Sequence, residues 1–207
     1  MFSLARRSGH AFGLLVAEEA RQNGWLTRLE HAVERDDVVA VRPGVYLPAR
    51  RWRSLSGADR TLARIYAVAL TTPDAVFAFH SAAALYRLPL PGDEIADVHV
   101  LGGEPAEGLI VHPAASHDGA SDIAERFGLR ATSPVQTVLD MADVLDYDDA
   151  LALVRAAIHP ASGTRFDEPP LCTRAELLDA AQAVARRTGD ERPLTVAQAA
   201  EADRLAA

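Results

Sequence analysis

The hydrophobic periodicities predict an α+β protein: an N-terminal helix-turn-helix with a β-hairpin behind it, followed by a mixed α/β domain with a small, mainly antiparallel sheet. Two observations carry this. Helical spacing on either side of Asn23-Gly24-Trp25 gives way, before residue 50, to two short β-prone runs around Pro43-Gly44. Beyond residue 75, short apolar runs broken by glycine alternate with helical patterns that begin at capping residues. The 207 residues, 49% hydrophobic and 24% charged, are enough for a small module plus a larger domain, each with a buried core.

In the first part, residues 1–55, Phe2 to Ser8 reads as a short helix and Leu14 to Gln22 as a second, stopped by Gly24. A third helix runs from about Leu26 to Arg35, with Leu26, Leu29, Ala32 and Val33 at helical spacing; Leu26, Leu29 and Val33 are expected to face inward. Val38-Val39-Ala40-Val41 and Val45-Tyr46-Leu47 are strands, and Pro43-Gly44 suits the centre of a type II turn between them. Helix, turn, helix and hairpin in this order make a winged helix-turn-helix. Arg50, Arg51 and Arg53 follow around Trp52.

The second part, residues 56–207, opens with Ser56 capping a helix from Gly57 to Leu70. Val76 to Phe79 is extended and leads to a helix at Ser81–Leu88, with Ser81 as its expected cap. Strands are expected at Ala96–Leu101 and Leu109–His112, with a further hairpin at Ile123–Arg126 and Leu129–Thr132 turning near Phe127-Gly128. Thr132-Ser133-Pro134 combines a capping hydroxyl with proline in the first turn and opens a helix; others follow at Asp148–Ile158, Arg174–Arg187 and Thr195–Ala206, after a breaker-rich loop at 159–171.

Composition excludes several chemistries. The chain has no lysine, so neither a P-loop lysine, a Schiff-base lysine nor an acid-acid-lysine nuclease site can form. One cysteine, Cys172, rules out an internal disulfide and a paired-cysteine zinc site. No uncharged apolar run is long enough to span a membrane, and Glu18-Glu19 interrupt the only stretch resembling a signal peptide, so a cytoplasmic location is expected. The net charge of −8 is unevenly spread: residues 1–65 carry +4 and residues 66–207 carry −12. The basic part suits phosphate, the acidic part solvent or a protein partner.

Three blocks resemble the AbiEi-type antitoxins of bacterial type IV toxin–antitoxin systems and their actinobacterial relatives. They are Gly24-Trp25-Leu26-Thr27-Arg28 with Val39 to Leu47, then Phe79-His80-Ser81-Ala82-Ala83-Ala84-Leu85-Tyr86-Arg87-Leu88, then Thr132-Ser133-Pro134-Val135-Gln136-Thr137-Val138-Leu139-Asp140. The resemblance spans about residues 10 to 158 and implies a winged-helix transcriptional regulator that binds operator DNA, often its own promoter. It implies also a second domain opposing a nucleotidyltransferase-like toxin, a functional and not necessarily physical partner. Some relatives continue into a Vsr-like endonuclease domain, for which this chain is expected to be too short.

On this reading Thr27, Arg28, His31 and Arg35 enter the major groove, with Arg28 suited to a two-bonded grip on guanine. Arg42 on the wing, with Arg50, Arg51 and Arg53, supplies phosphate contacts. Double-stranded DNA is the expected partner, with a homodimer on repeats one helical turn apart. No catalytic residue, metal or cofactor is expected. Spacing gives His99, His112 and His117 no ligand pattern, His80-Ser81 no nucleophile elbow, and the acids Asp140, Asp143, Asp146, Asp148 and Asp149 the character of a solvated face. Glu30, Glu34, Asp36 and Asp37 on or beside the third helix repel phosphate. They keep a second reading open: a protein-interaction module whose degenerate winged helix does not bind DNA.

Overall fold

Leu14 and Leu15 are both fully buried. They serve different cores, Leu14 packing with Val45 and Leu47 and Leu15 with Trp25 and Leu29, as opposite faces of an extended segment do. In the computed structural model, which describes residues 9–114, 122–159 and 169–202, Leu15–Val16 form strand β1 and helix α1 is confined to Ala17–Gln22. The helix expected over Leu14–Gln22 is thus a strand followed by a helix, because Leu15 and Val16 pair with Tyr46 and Val45. The helix expected at Phe2 to Ser8 lies outside the described residues.

Asn23-Gly24-Trp25 turns the chain into α2 (Leu26–Glu34). Gly24 takes a left-handed φ of 69°, and the buried Trp25 donates its N–H to the Ala20 carbonyl. Beyond α2, Asp36 enters the left-handed region and the Asp37 N–H bonds the Ala32 carbonyl, which ends the helix. Strands β2 (Val38–Arg42) and β3 (Val45–Pro48) form an antiparallel hairpin, with Gly44 at φ 78° after Pro43 as a type II turn requires. β1, β3 and β2 make a three-stranded antiparallel sheet in that order. Under it lie Leu15, Ala20, Trp25, Leu29, Ala32 and Val38. Ala32 fills the inward position expected of Val33, which is 41% exposed.

Residues 50–53 belong to a short helix, α3 (Ala49–Ser54), and Ser56 caps α4 (Gly57–Thr71) by accepting the Asp59 N–H. Ala63 and Ala67 of α4 complete a second cluster with Leu14, Val45, Leu47 and Leu55. That shared core makes the first compact unit extend past residue 55 to Ala75; it also includes Asp93–Val98 and Gly103–Val111.

The second unit comprises Val76–Gly92, His99–Gly102 and the described residues from His112 onward. Its elements are β4 (Val76–Phe77), α5 (Phe79–Leu85), β7 (Ile123–Arg126), β8 (Leu129–Thr132), α6 (Pro134–Val144), α7 (Tyr147–Ile158), α8 (Arg174–Thr188) and α9 (Arg192–Ala202). With β5 (Val98–Leu101) and β6 (Leu109–His112), the strands form a sheet in the order β6-β5-β4-β8-β7. β4 runs antiparallel to β5 and parallel to β8, and β7 and β8 form a hairpin through Phe127-Gly128, both with positive φ. The architecture is therefore mixed α and β with small, mainly antiparallel sheets. α5, α6, α7, α8 and α9 bury Leu85, Val138, Met141, Leu153, Leu177 and Val196. No described helix is long and apolar enough to cross a membrane.

Candidate functional site

Helix α2 offers its outer face because Leu29 and Ala32 anchor the opposite one. Thr27, Arg28 and His31 are exposed on it, together with Glu30 and Glu34. Arg35 is exposed at the helix end, with its Nε 2.9 Å from Asp37 Oδ2. An exposed pair of this kind contributes about 0–1 kcal/mol, so it holds the guanidinium only weakly. In α3, Arg50, Arg51 and Arg53 are exposed while Trp52 turns inward onto the core cluster. Arg60 and Arg64 stand over the Trp52 ring at 5.4 and 5.0 Å, a cation–π arrangement that fixes the indole. The first unit thus presents Thr27, Arg28 and His31 on one helix and three arginines on another.

Arg42 stands apart from this set. It ends β2, where the register to β3 shifts, and its Nε and Nη1 are buried without a hydrogen-bond partner. Burial lowers its pKa from the ordinary arginine value, and among the described residues no carboxylate offsets that cost. The wing arginine expected to face phosphate therefore has two of its nitrogens withdrawn from solvent.

A second constellation lies in the second unit, at the start of α5. Phe79 has φ 48°, a strained value for a bulky aromatic side chain. Its ring stacks on His112 at 3.8 Å, His112 Nε2 lies 2.9 Å from His99 Nδ1, and the His80 and His99 rings are 4.7 Å apart. His80 Nδ1 is buried without a partner. Burial first, then the neighbouring His80 and His112, pushes His99 down to about 4; burial and His112 lower His80 as well. The His99 and His80 rings therefore stay neutral near pH 7. Among the described residues no group of three His, Cys, Asp or Glu is placed to hold a metal ion. His117 lies outside the described residues.

Ser81 does not cap α5: the N-cap is Ala78, and Ser81 Oγ accepts the His99 backbone N–H at 2.8 Å. Sequence reading missed that His80 joins His99 and His112. The pairing of Phe77 with Val100 sets this, and strand register across the intervening residues is not written in local periodicity.

The remaining candidates are structural. Asp146 caps α7 by accepting the Asp149 N–H, and Asp140 accepts from Gln136 Nε2 at 2.7 Å. Cys172 is buried, and burial pushes its thiol up to about 11, far from a reactive thiolate. Compared with known proteins, the chain matches no family model and no curated sequence.

Proposed function

We propose that this chain is a sequence-specific DNA-binding transcriptional autoregulator resembling the AbiEi-type antitoxins, with a winged helix-turn-helix as its first unit. The observation that carries the reading is the sheet order β1-β3-β2 around α1 and α2. A strand, two helices joined by a glycine turn, and a closing hairpin support a winged-helix reading, in which the second of those helices enters the major groove. In this chain that helix is α2, and its exposed Thr27, Arg28 and His31, with Arg35 at its end, are the groove-facing set. Arg50, Arg51 and Arg53 serve the phosphates; Arg42 joins them only if its guanidinium turns outward. The second unit opposes or senses a partner toxin, in keeping with the resemblance of its two motif blocks.

Fluorescence anisotropy on the full chain tests this, with DNA from upstream of its own gene and scrambled DNA of equal length. The expected result is a preference of about 10³ or more for the upstream DNA, reduced in Arg28→Ala. Equal affinity for both DNAs removes the autoregulator reading, and no binding at low salt removes DNA reading altogether.

The acids favour a second reading, a protein-interaction module with no DNA affinity. Glu30 and Glu34 are exposed on the same helix as Thr27 and Arg28, and Asp37 engages Arg35. Co-purification of a neighbouring gene product with the full chain, together with absent DNA binding, would support it.

A further inference from the structure

Two residues of the second unit take left-handed backbone conformations that favour other side chains. Arg87 follows the C-cap of α5 with φ 58°; its N–H and that of Leu88 close the helix onto the Ala84 and Ala83 carbonyls. Glycine is the usual residue of such a cap. Phe127 is the first residue of the two-residue turn between β7 and β8, with φ 53° and Gly128 following at 75°. Asparagine before glycine is the usual choice there, because a bulky side chain is strained at positive φ.

Distant in sequence, these two residues meet. The Arg87 guanidinium lies 5.9 Å from the Phe127 ring centroid, and that of Arg126 lies 4.4 Å from it. Arg87 and Phe127 are both exposed, so burial does not account for the strain at either position. Strain retained at two exposed residues that touch marks a surface kept for contact. Resting on the ring leaves the exposed Arg87 its edge N–H groups for an oxyanion. Neither arginine forms an ion pair among the described residues, and the neighbouring Glu125 is placed in register with Arg130.

The complementary surface is in the same chain. Phe127, Val144 and Tyr147 are the most exposed large apolar residues among those described, each about half exposed. Val144 and Tyr147 belong to the corner between α6 and α7, where Asp143, Asp146 and Asp148 are exposed around them. Arg192 stands behind this corner but donates to the Ala142 and Leu145 carbonyls, and Asp190 adds a carboxylate beside Asp143. Among the described residues, no ion pair or ring contact joins the two surfaces within one chain. A nucleic acid fits the arginine-framed turn less well, because its charge repeats along each strand and residues 66–207 carry −12.

We propose that the chain associates with a second copy of itself, the Phe127 turn of one copy docking on the α6–α7 corner of the other. Phe127 packs against Val144 and Tyr147, and Arg87 pairs with Asp148. The contact does not depend on the DNA reading and is measured without DNA.

The test is sedimentation velocity of the full chain up to about 200 µM, since small charged interfaces are weak. The expected result is concentration-dependent self-association that salt weakens. Phe127→Asn is expected to weaken it by about tenfold or more, as loss of a central aromatic anchor does. That variant should melt no lower than the parent, because asparagine suits the turn position. Arg87→Glu and Asp148→Arg should each weaken association alone, and mixing the two should restore it, since the reversed charges then face each other. A parent that stays monomeric overturns self-association and leaves an unrelated acidic protein as the occupant. Association that Phe127→Asn leaves unchanged overturns the pairing of these two surfaces. So does a mixture of the charge-reversed variants that associates no better than either alone.

Discussion

His99 is 9% exposed and sits against two other imidazoles, so a proton on it is opposed both by lost hydration and by its neighbours. Its Nδ1 contact with His112 Nε2 also needs one ring to donate and the other to accept, which full protonation of both would break. In the unfolded chain the same residue titrates near 6.5. As pH falls through about 6.5, the unfolded chain takes up a proton that the folded chain refuses until about 4. Stability is therefore complete above the unfolded value and is lost progressively between these limits. With solvent screening allowed for, the loss at pH 5 is about 1–2 kcal/mol. Urea denaturation at pH 7 and pH 5 checks this: the parent should lose stability over that interval and His99→Asn should lose markedly less. Equal pH sensitivity of the two would place the acid response in other groups.

At the scale of elements, one glycine decides a joint that propensity alone would misjudge. Gly57 opens α4, where alanine normally gains about 1 kcal/mol over glycine. Here an added Cβ would lie 2.0 Å from the Asp93 carbonyl oxygen, a backbone atom that cannot move without shifting its segment. The clash outweighs the propensity, and Gly57→Ala is expected to destabilise the protein by about 2 kcal/mol or more. Urea unfolding reads this directly, and a neutral or stabilised variant would show that the Asp93 segment yields. The sequence could not announce the contact, since it joins residues 36 positions apart. What it did announce was local: the Ser56 and Ser133 caps, the glycine turn before α2 and the Pro43-Gly44 hairpin each rest on neighbouring residues. β1 was missed because its two residues continue smoothly into the pattern of α1, and only pairing with Tyr46 and Val45 makes them a strand. The same limit governs the sites. Exposure of Thr27 and Arg28 followed from helical phase. The burial of Arg42 and the meeting of His80, His99 and His112 depend on elements distant in the chain.

At the scale of the whole molecule, a chain of net charge −8 that binds DNA must do so through a local basic surface. The Debye length at physiological salt is about 8 Å, so the −12 carried by residues 66–207 counts only where it approaches phosphate. The terms that matter are then the exposed arginines of α3 and the exposed acids of α2. Each phosphate contact releases condensed counterions, and log K falls against log salt with a slope of about −0.9 per contact. If Arg50, Arg51 and Arg53 each meet a phosphate, replacing all three with alanine should flatten that slope by about 3 while leaving the preference for upstream over scrambled DNA nearly intact. Glu30→Gln with Glu34→Gln should act oppositely, raising affinity for both DNAs several-fold by removing two like charges from the helix proposed to face the groove. The two variants together separate positioning from reading, because phosphate contacts carry no sequence information, whereas a groove-facing α2, as proposed, would. An unchanged slope in the triple variant would remove α3 from the interface. Unchanged affinity in the double variant would mean that the outer face of α2 does not lie against DNA, and the protein-interaction reading would then account better for its acids.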